Sequence, residues 1–215
     1  MDFIILGIQG SGKGTQGRKL GEKYGYTIFE MGVAFRTLIK ESSELANRVR
    51  EIINKGNLVD DETVMNVFLN SIKTQFAEGI PDKMIYDGIP RRLGQKKLFD
   101  NWMAEQGREF RVIDIVISED EAIKRLVQRR VCSQCGKPFS ANYKSDRCDV
   151  CDGIIEIRED ESKDAILTRI ADFKKYTTPV LDEYREEGLL ISINGEQSPE
   201  NVFIEIENKI NSYLN

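Results

Sequence analysis

The 215-residue chain contains no histidine. That absence excludes Ser-His and Cys-His nucleophile pairs, a histidine general base and histidine metal ligands. Chemistry must rest on carboxylates, lysine, arginine, cysteine, backbone amides or a metal that arrives with a substrate. Between about pH 6 and 8 little ionisation from imidazole is expected, so rate changes there should track substrate phosphates, with a perturbed cysteine or carboxylate as the alternative cause. Long apolar runs are also missing: the first, Phe3-Ile4-Ile5-Leu6, is four residues long and is followed by Gly7 and Gln9. It is too short for a signal-peptide core, and no stretch approaches a membrane span, so a cytoplasmic protein with no membrane partner is expected. Positive charge is not in excess, since 31 Lys+Arg against 36 Asp+Glu give a formal charge of −5. No broad nucleic-acid surface is expected, although a local basic cleft is compatible with that balance. What is present, 40% hydrophobic and 31% charged residues, is ordinary globular composition. A chain of this length buries on the order of 70% of its unfolded surface.

Apolar runs at 3–8, 83–86, 112–117 and 189–193, with a weaker one at 26–29, read as five buried strands. Helical patterns at 12–24, 93–106, 119–131 and 163–187 separate them. A final helix starts with Ser198 as N-cap and Pro199 in its first turn, with Phe203, Ile206 and Ile210 on one face. The alternation predicts an α/β doubly wound fold with a parallel five-stranded sheet. Residues 31–80 are helical without a strand signal, and 132–157 carry cysteines and turn formers; both read as insertions. The remaining core comprises 1–30, 81–131 and 158–215.

Gly7-Ile8-Gln9-Gly10-Ser11-Gly12-Lys13-Gly14-Thr15 follows the first strand and opens a helix. That context suits a phosphate loop: glycines let backbone N–H groups face phosphate oxygens, the helix N-terminus adds partial positive charge, and Lys13 reaches the terminal phosphates. The common pattern places Ser or Thr directly after the lysine; here Gly14 intervenes. A dinucleotide fingerprint fits less well, because Lys13 has no role in it. Bound phosphates need compensating charge, which arginine supplies through its planar fork. Arg36, Arg91, Arg92, Arg125, Arg129, Arg130, Arg158 and Arg169 are available.

Cys132-Ser133-Gln134-Cys135 and Cys148-Asp149-Val150-Cys151 form two C-x-x-C knuckles separated by twelve residues. The spacing favours a tetrahedral structural zinc. A redox pair is disfavoured because neither knuckle begins a helix, and a catalytic zinc because four cysteines fill every position. A nucleic-acid ribbon remains a rival. The segment has little apolar material, so metal would supply its stability, with Gly136 and Gly153 forming the turns after the knuckles.

The motif at 7–16 resembles the phosphate loop of adenylate kinases. Asp87-Gly88-Ile89-Pro90-Arg91 with Gln95, Gly56-Asn57-Leu58-Val59, Arg129-Arg130-Val131-Cys132, and Arg158 and Arg169 before Thr178-Pro179 resemble further segments of that family, in order along the chain. The resemblance implies Mg²⁺-dependent transfer of the ATP γ-phosphoryl group to AMP, on a core carrying a helical monophosphate-binding insertion (31–80) and a zinc-binding lid (132–157). It implies ATP and AMP as partners; the sequence does not reveal the oligomeric state, and a monomer is favoured over an oligomer. Gly10, Ser11, Gly12, Lys13, Gly14 and Thr15 would hold the donor phosphates, with Arg125, Arg129 and Gln197 on the donor side. Met31, Arg36, Asn57, Val59, Gly88, Arg91 and Gln95 would line the acceptor site. Lys13, Arg36, Arg91, Arg129, Arg158 and Arg169 would act on the transferred group and its neighbours, Thr15 and Asp87 on the Mg²⁺ shell, and Cys132, Cys135, Cys148 and Cys151 on zinc. The chain departs from the family pattern at Met31 and Val33, where Thr and Asp are usual, at Gln9 for Pro, at Ile89 for Phe, and at Gln197 where Lys is frequent. Other acceptors or donors (UMP, CMP, GTP) and a non-catalytic nucleotide- or nucleic-acid-binding module remain as alternatives.

Overall fold

The computed structural model describes residues 1–139, 143–157 and 162–214. Strands β1 (Asp2–Leu6), β2 (Thr27–Glu30), β3 (Met84–Asp87), β4 (Phe110–Val116) and β8 (Leu190–Asn194) form one sheet in the order β2-β3-β1-β4-β8. Every neighbouring pair is parallel. The expected doubly wound α/β sheet is therefore present.

Period-two alternation explains why both faces are covered. Phe3 and Ile5 of β1 pack with Leu20 of α1 (Lys13–Tyr24) and with Val202, Ile206 and Ile210 of α9 (Pro199–Ile210). Ile4 and Leu6 face the opposite layer. That layer is built from α2 (Met31–Leu38), α3 (Glu44–Asn54), α4 (Asp61–Gln75), α5 (Leu93–Glu105) and α8 (Thr178–Glu186). Phe68 of α4 anchors it, edge-on to Phe29 at 5.2 Å and to Trp102 at 4.8 Å between ring centroids. Asp2 pins the lower end of the sheet, accepting from the Met84 N–H at 3.0 Å and from Arg108 Nε at 2.6 Å. No helix among the described residues is long and apolar enough to cross a membrane.

Local signals set most boundaries. Ser43, Asp60, Ser118, Ser162 and Ser198 each cap a helix with a side-chain oxygen. Two helices differ from expectation. The 119–131 pattern yields α6 (Glu119–Val127) only, because β5 (Arg130–Cys132) is captured by antiparallel pairing with β6 (Pro138–Phe139) and β7 (Ile155–Ile157). The 163–187 pattern is interrupted: α7 (Lys163–Asp172) passes through a π turn, Phe173–Thr177, into α8. Pro179 accounts for this. It has no N–H, and its ring excludes the carbonyl one turn earlier, so the helix widens and the Thr178 N–H reaches back five residues to the Phe173 carbonyl.

Phe68→Ala removes the ring on which four other aromatics converge. Urea unfolding should show a loss of about 3–5 kcal/mol.

Candidate active site

Above the C-terminal ends of β1 and β3 the chain turns from strand to helix through the glycine-rich loop, the position where open α/β sheets bind ligands. Gly7 has φ +141°, and a Cβ there would lie 2.5 Å from the Ile115 carbonyl oxygen, so no other residue fits between the loop and β4. Gly12 caps α1 in the left-handed region and has no side chain to satisfy the helix's first amides. Those amides stay available to an anion, favoured also by the helix dipole. Ser11 Oγ and Gln9 Oε1 are buried in the same loop without a partner among the described residues.

Lys13 folds back over the loop, donating to the Gly7 carbonyl at 2.8 Å and the Ile8 carbonyl at 3.0 Å. Burial pushes its ammonium down to about 8; Arg91 and Arg129 push the same way, while Asp87 and Asp114 oppose them. Burial also raises the Glu30 carboxyl, as does Asp87, against the pull of Arg18, Arg36 and Arg129. Lys13, Arg36, Arg91, Arg129, Asp87 and Glu30 thus share one electrostatic neighbourhood, although 116 positions separate the first of these arginines' loop partner, Lys13, from Arg129. Asp114 is pushed up to about 6 by burial, with Arg185 and Lys13 opposing. Asp114 is thus a perturbed carboxylate of the kind left open as a source of ionisation near pH 6, and Lys13 adds a second group near pH 8 that the sequence did not point to.

Asp87 ends β3 opposite Ile5 and Glu30. Its Oδ2 lies 3.5 Å, and the Arg18 guanidinium 3.4 Å, from where a Cβ on Gly14 would stand. These are ordinary van der Waals distances, so Gly14 sits beside the Asp87 carboxylate and Arg18 without being required by them. Arg18 in turn pairs with Glu30 at 2.9 Å. On the other side of the loop Arg125 donates to Glu121 at 2.7 Å, to the Gly195 carbonyl at 3.0 Å and to the Gly10 carbonyl at 3.5 Å. Gln16 Nε2 holds the Pro199 carbonyl at 3.0 Å. Gln197, expected beside the donor, bonds Asn194 O at 3.1 Å and Glu205 at 2.6 Å.

The expected acceptor residues fall into two groups. Arg91 and Gly88 are close: Arg91 Nε donates to the Gly88 carbonyl at 3.0 Å. Gln95 is buried, accepting from the Arg91 N–H at 2.8 Å and donating to Asp61 at 3.2 Å. Gly94 lets Asp61 approach, since a Cβ there would meet Asp61 Oδ2 at 2.2 Å. Arg36 lies on α2 with Gly32 against its guanidinium. Met31 and Val59 are buried in the core, whereas Asn57 and Val33 are exposed. The Leu58 N–H donates to Asp172 at 3.1 Å, which ties the α3–α4 connection in the middle of the 31–80 segment to α7. Arg169 stands in the last turn of α7. Arg158 lies outside the described residues. Asp61, Asp172, Thr177, Arg18 and Gln16 were not singled out from the sequence; only an acidic residue at a helix start marked Asp61.

In the cysteine segment, the four Sγ atoms lie within 4.8 Å of one another. The closest pairs run across the knuckles, Cys132 to Cys151 at 3.4 Å and Cys135 to Cys148 at 3.6 Å. These are far too long for a disulfide and close to the edge of a zinc–thiolate tetrahedron, about 3.8 Å. Backbone N–H groups of Cys135 and Val150 point at Cys132 Sγ (3.5 Å) and Cys148 Sγ (3.4 Å). The Cys135 amide pulls the Cys132 thiol down to about 6, while burial pushes Cys135 up to about 12. Four thiolates this close require a cation, and the donor set fits structural zinc. Among the described residues the apolar core around them comprises Cys132, Phe139, Cys148 and Ile155, with Tyr143 and Cys151 beside it. Gly136 takes the expected left-handed turn, but after the second knuckle Asp152 does so. Gly153 is needed for another reason: its Cβ would lie 2.7 Å from Cys132 Sγ.

A parallel α/β sheet with a lysine-bearing phosphate loop and converging arginines defines a P-loop phosphotransferase type of protein. The family model described as adenylate kinase matches residues 5–189. Relatives named adenylate kinase include proteins of Archaeoglobus fulgidus (33% identical, 96% of each chain), Listeria monocytogenes serotype 4a (32%, 99% of this chain and all of the relative) and Carboxydothermus hydrogenoformans (34%, 98% and 99%). The chain belongs to the adenylate kinase family.

Metal analysis should find one zinc per chain. Cys148→Ser should lower both zinc content and the melting temperature, as should a strong chelator. A phosphate group docked at the loop should raise the Lys13 pKa from about 8. At pH 8.5, where nucleotide phosphates are already fully ionised, ATP binding should take up protons, read by calorimetry in buffers of different ionisation enthalpy; Lys13→Met should abolish the uptake.

Proposed function

We propose that the chain catalyses reversible transfer of the γ-phosphoryl group of Mg·ATP to AMP, giving two ADP. Family membership supports the reaction. The observation that carries the site is the shared electrostatic neighbourhood of Lys13, Arg36, Arg91, Arg129 and Asp87 at the loop. Residues 1–30, 81–131 and 158–215 act as the core, 31–80 as the monophosphate-binding insertion and 132–157 as the zinc lid. The reading includes a cytoplasmic monomer that binds neither nucleic acid nor membrane.

Phosphoryl transfer asks for alignment and charge stabilisation rather than covalent work by the protein. The attacking acceptor phosphate is already an anion, so no general base is required, in keeping with a chain without histidine. Gly10 to Thr15 bind the donor phosphates through backbone amides. Lys13 exchanges its bonds to the Gly7 and Ile8 carbonyls for phosphate oxygens, and Arg125 and Gln197 border the donor nucleoside. Arg36 and Arg91 grip the acceptor phosphate, while Met31, Asn57, Val59, Gly88 and Gln95 border its nucleoside. Arg129, Arg158 and Arg169 surround the transferred group. The Asp87 carboxylate and Thr15 hydroxyl, hard oxygen donors at the loop, would hold the water shell of the magnesium that arrives with ATP, which would supply neutralisation of phosphate charge. Zinc supplies folding energy to the lid, whose closure excludes water so that the phosphoryl group meets the acceptor rather than hydroxide.

Lys13→Met should keep the fold and lower kcat by about three orders of magnitude, the scale of losing one preorganised charge at a transition state. Near-normal ADP formation by that variant would contradict the assignment.

A further inference from the structure

Both backbone polar groups of Arg91 are held by side chains. Its N–H donates to Gln95 Oε1 at 2.8 Å, one turn on in its own segment. Its carbonyl accepts from the Thr177 hydroxyl at 3.0 Å, eighty-six residues away in sequence. Thr177 is only 3% exposed, one of few polar residues so deeply buried. The guanidinium is held too, by the Nε bond to the Gly88 carbonyl and by contact with the Gly88 backbone, where a Cβ would lie 2.9 Å from its terminal nitrogen.

Thr177 reaches Arg91 because of the π turn. The turn inserts one residue into the helical run, and each residue rotates a helix by about 100°, so the helix beyond is turned by that amount relative to an unbroken α7. Thr177 is the last residue of the turn, and Pro179 two residues on explains why the turn is there. The same helix carries Arg169, and its Asp172 holds the Leu58 N–H at 3.1 Å. It therefore grips the backbone on both sides of the acceptor region.

We propose that Thr177 is a positioning residue for phosphoryl transfer: its hydroxyl, aimed by the π turn, fixes the Arg91 backbone so that the guanidinium is preorganised for the acceptor phosphate. This rests on Arg91 gripping that phosphate. The hydroxyl touches no substrate and acts only through Arg91. Its loss should be felt on the acceptor side and in turnover, and not in donor binding.

Thr177→Val removes the hydroxyl at nearly constant shape. For folded enzyme, kcat/KM for AMP should fall roughly five- to tenfold, the scale of one net hydrogen bond. The Kd for ATP measured without AMP should stay within about twofold, and Thr177→Ser should restore kcat/KM for AMP. Thr177→Ala carries the same expectation and serves if the valine variant does not fold. Unchanged acceptor kinetics with a lower melting temperature would overturn the proposal by assigning Thr177 to stability alone. Parallel loss of donor affinity would overturn it as well. A wild-type chain without ATP:AMP turnover would overturn the functional reading first, and this inference with it.

Discussion

The site depends on holding a lysine ammonium where burial works against its charge. Lys13 sits over a loop whose glycines bring backbone so close that side chains are excluded, and two loop carbonyls occupy its donors. Desolvation and two nearby arginines push it toward neutrality; Asp87 and Asp114 push back. On the proposed function, a polyphosphate would resolve that conflict. It brings the negative charge the cluster of cations is short of, so binding energy and catalytic charge are the same interaction. Asp87 is restrained in turn by its place at the end of β3.

Around this centre, side-chain bonds to backbone do the positioning. Gln95 and Thr177 hold Arg91, Asp172 holds Leu58, Gln16 holds Pro199, and Arg125 holds Gly195 and Gly10. Each joins segments that are loops or helix ends, the parts least able to stay put by themselves. The cysteine segment solves the same problem differently. With a core of a few apolar residues, it draws its rigidity from four sulfurs arranged for one metal ion. Rigid sub-structures linked at a few defined points suit an enzyme that must close over its substrates and open again.

The strands, the loop at 7–15 and the cysteine knuckles were legible in the sequence because their signals are local: apolar runs, glycine spacing, C-x-x-C. The limits of α6 were not, since Val127 and Val131 continue a helical spacing that strand pairing of Arg130 overrides. Pro179 marked a helix disturbance, but not that the result would be a π turn aiming Thr177 at Arg91. Asp61 against Gly94 and Asp172 against Leu58 join residues far apart in the chain, and neither partner carries a motif. Convergence of Arg36, Arg91 and Arg129 likewise followed from a family resemblance, not from spacing. Met31, expected beside the acceptor, is buried, whereas Val33 two residues on is exposed, a difference that spacing on a short helix did not show.

The central claim is that the loop and its cations deliver a phosphoryl group to another nucleotide and not to water. Phosphorus NMR of the purified chain with Mg·ATP and AMP tests it directly. The account predicts that ADP signals grow at the expense of ATP and AMP until the three nucleotides reach equilibrium, without accumulation of inorganic phosphate. Phosphate release without ADP formation from AMP, or no turnover at all, would contradict it.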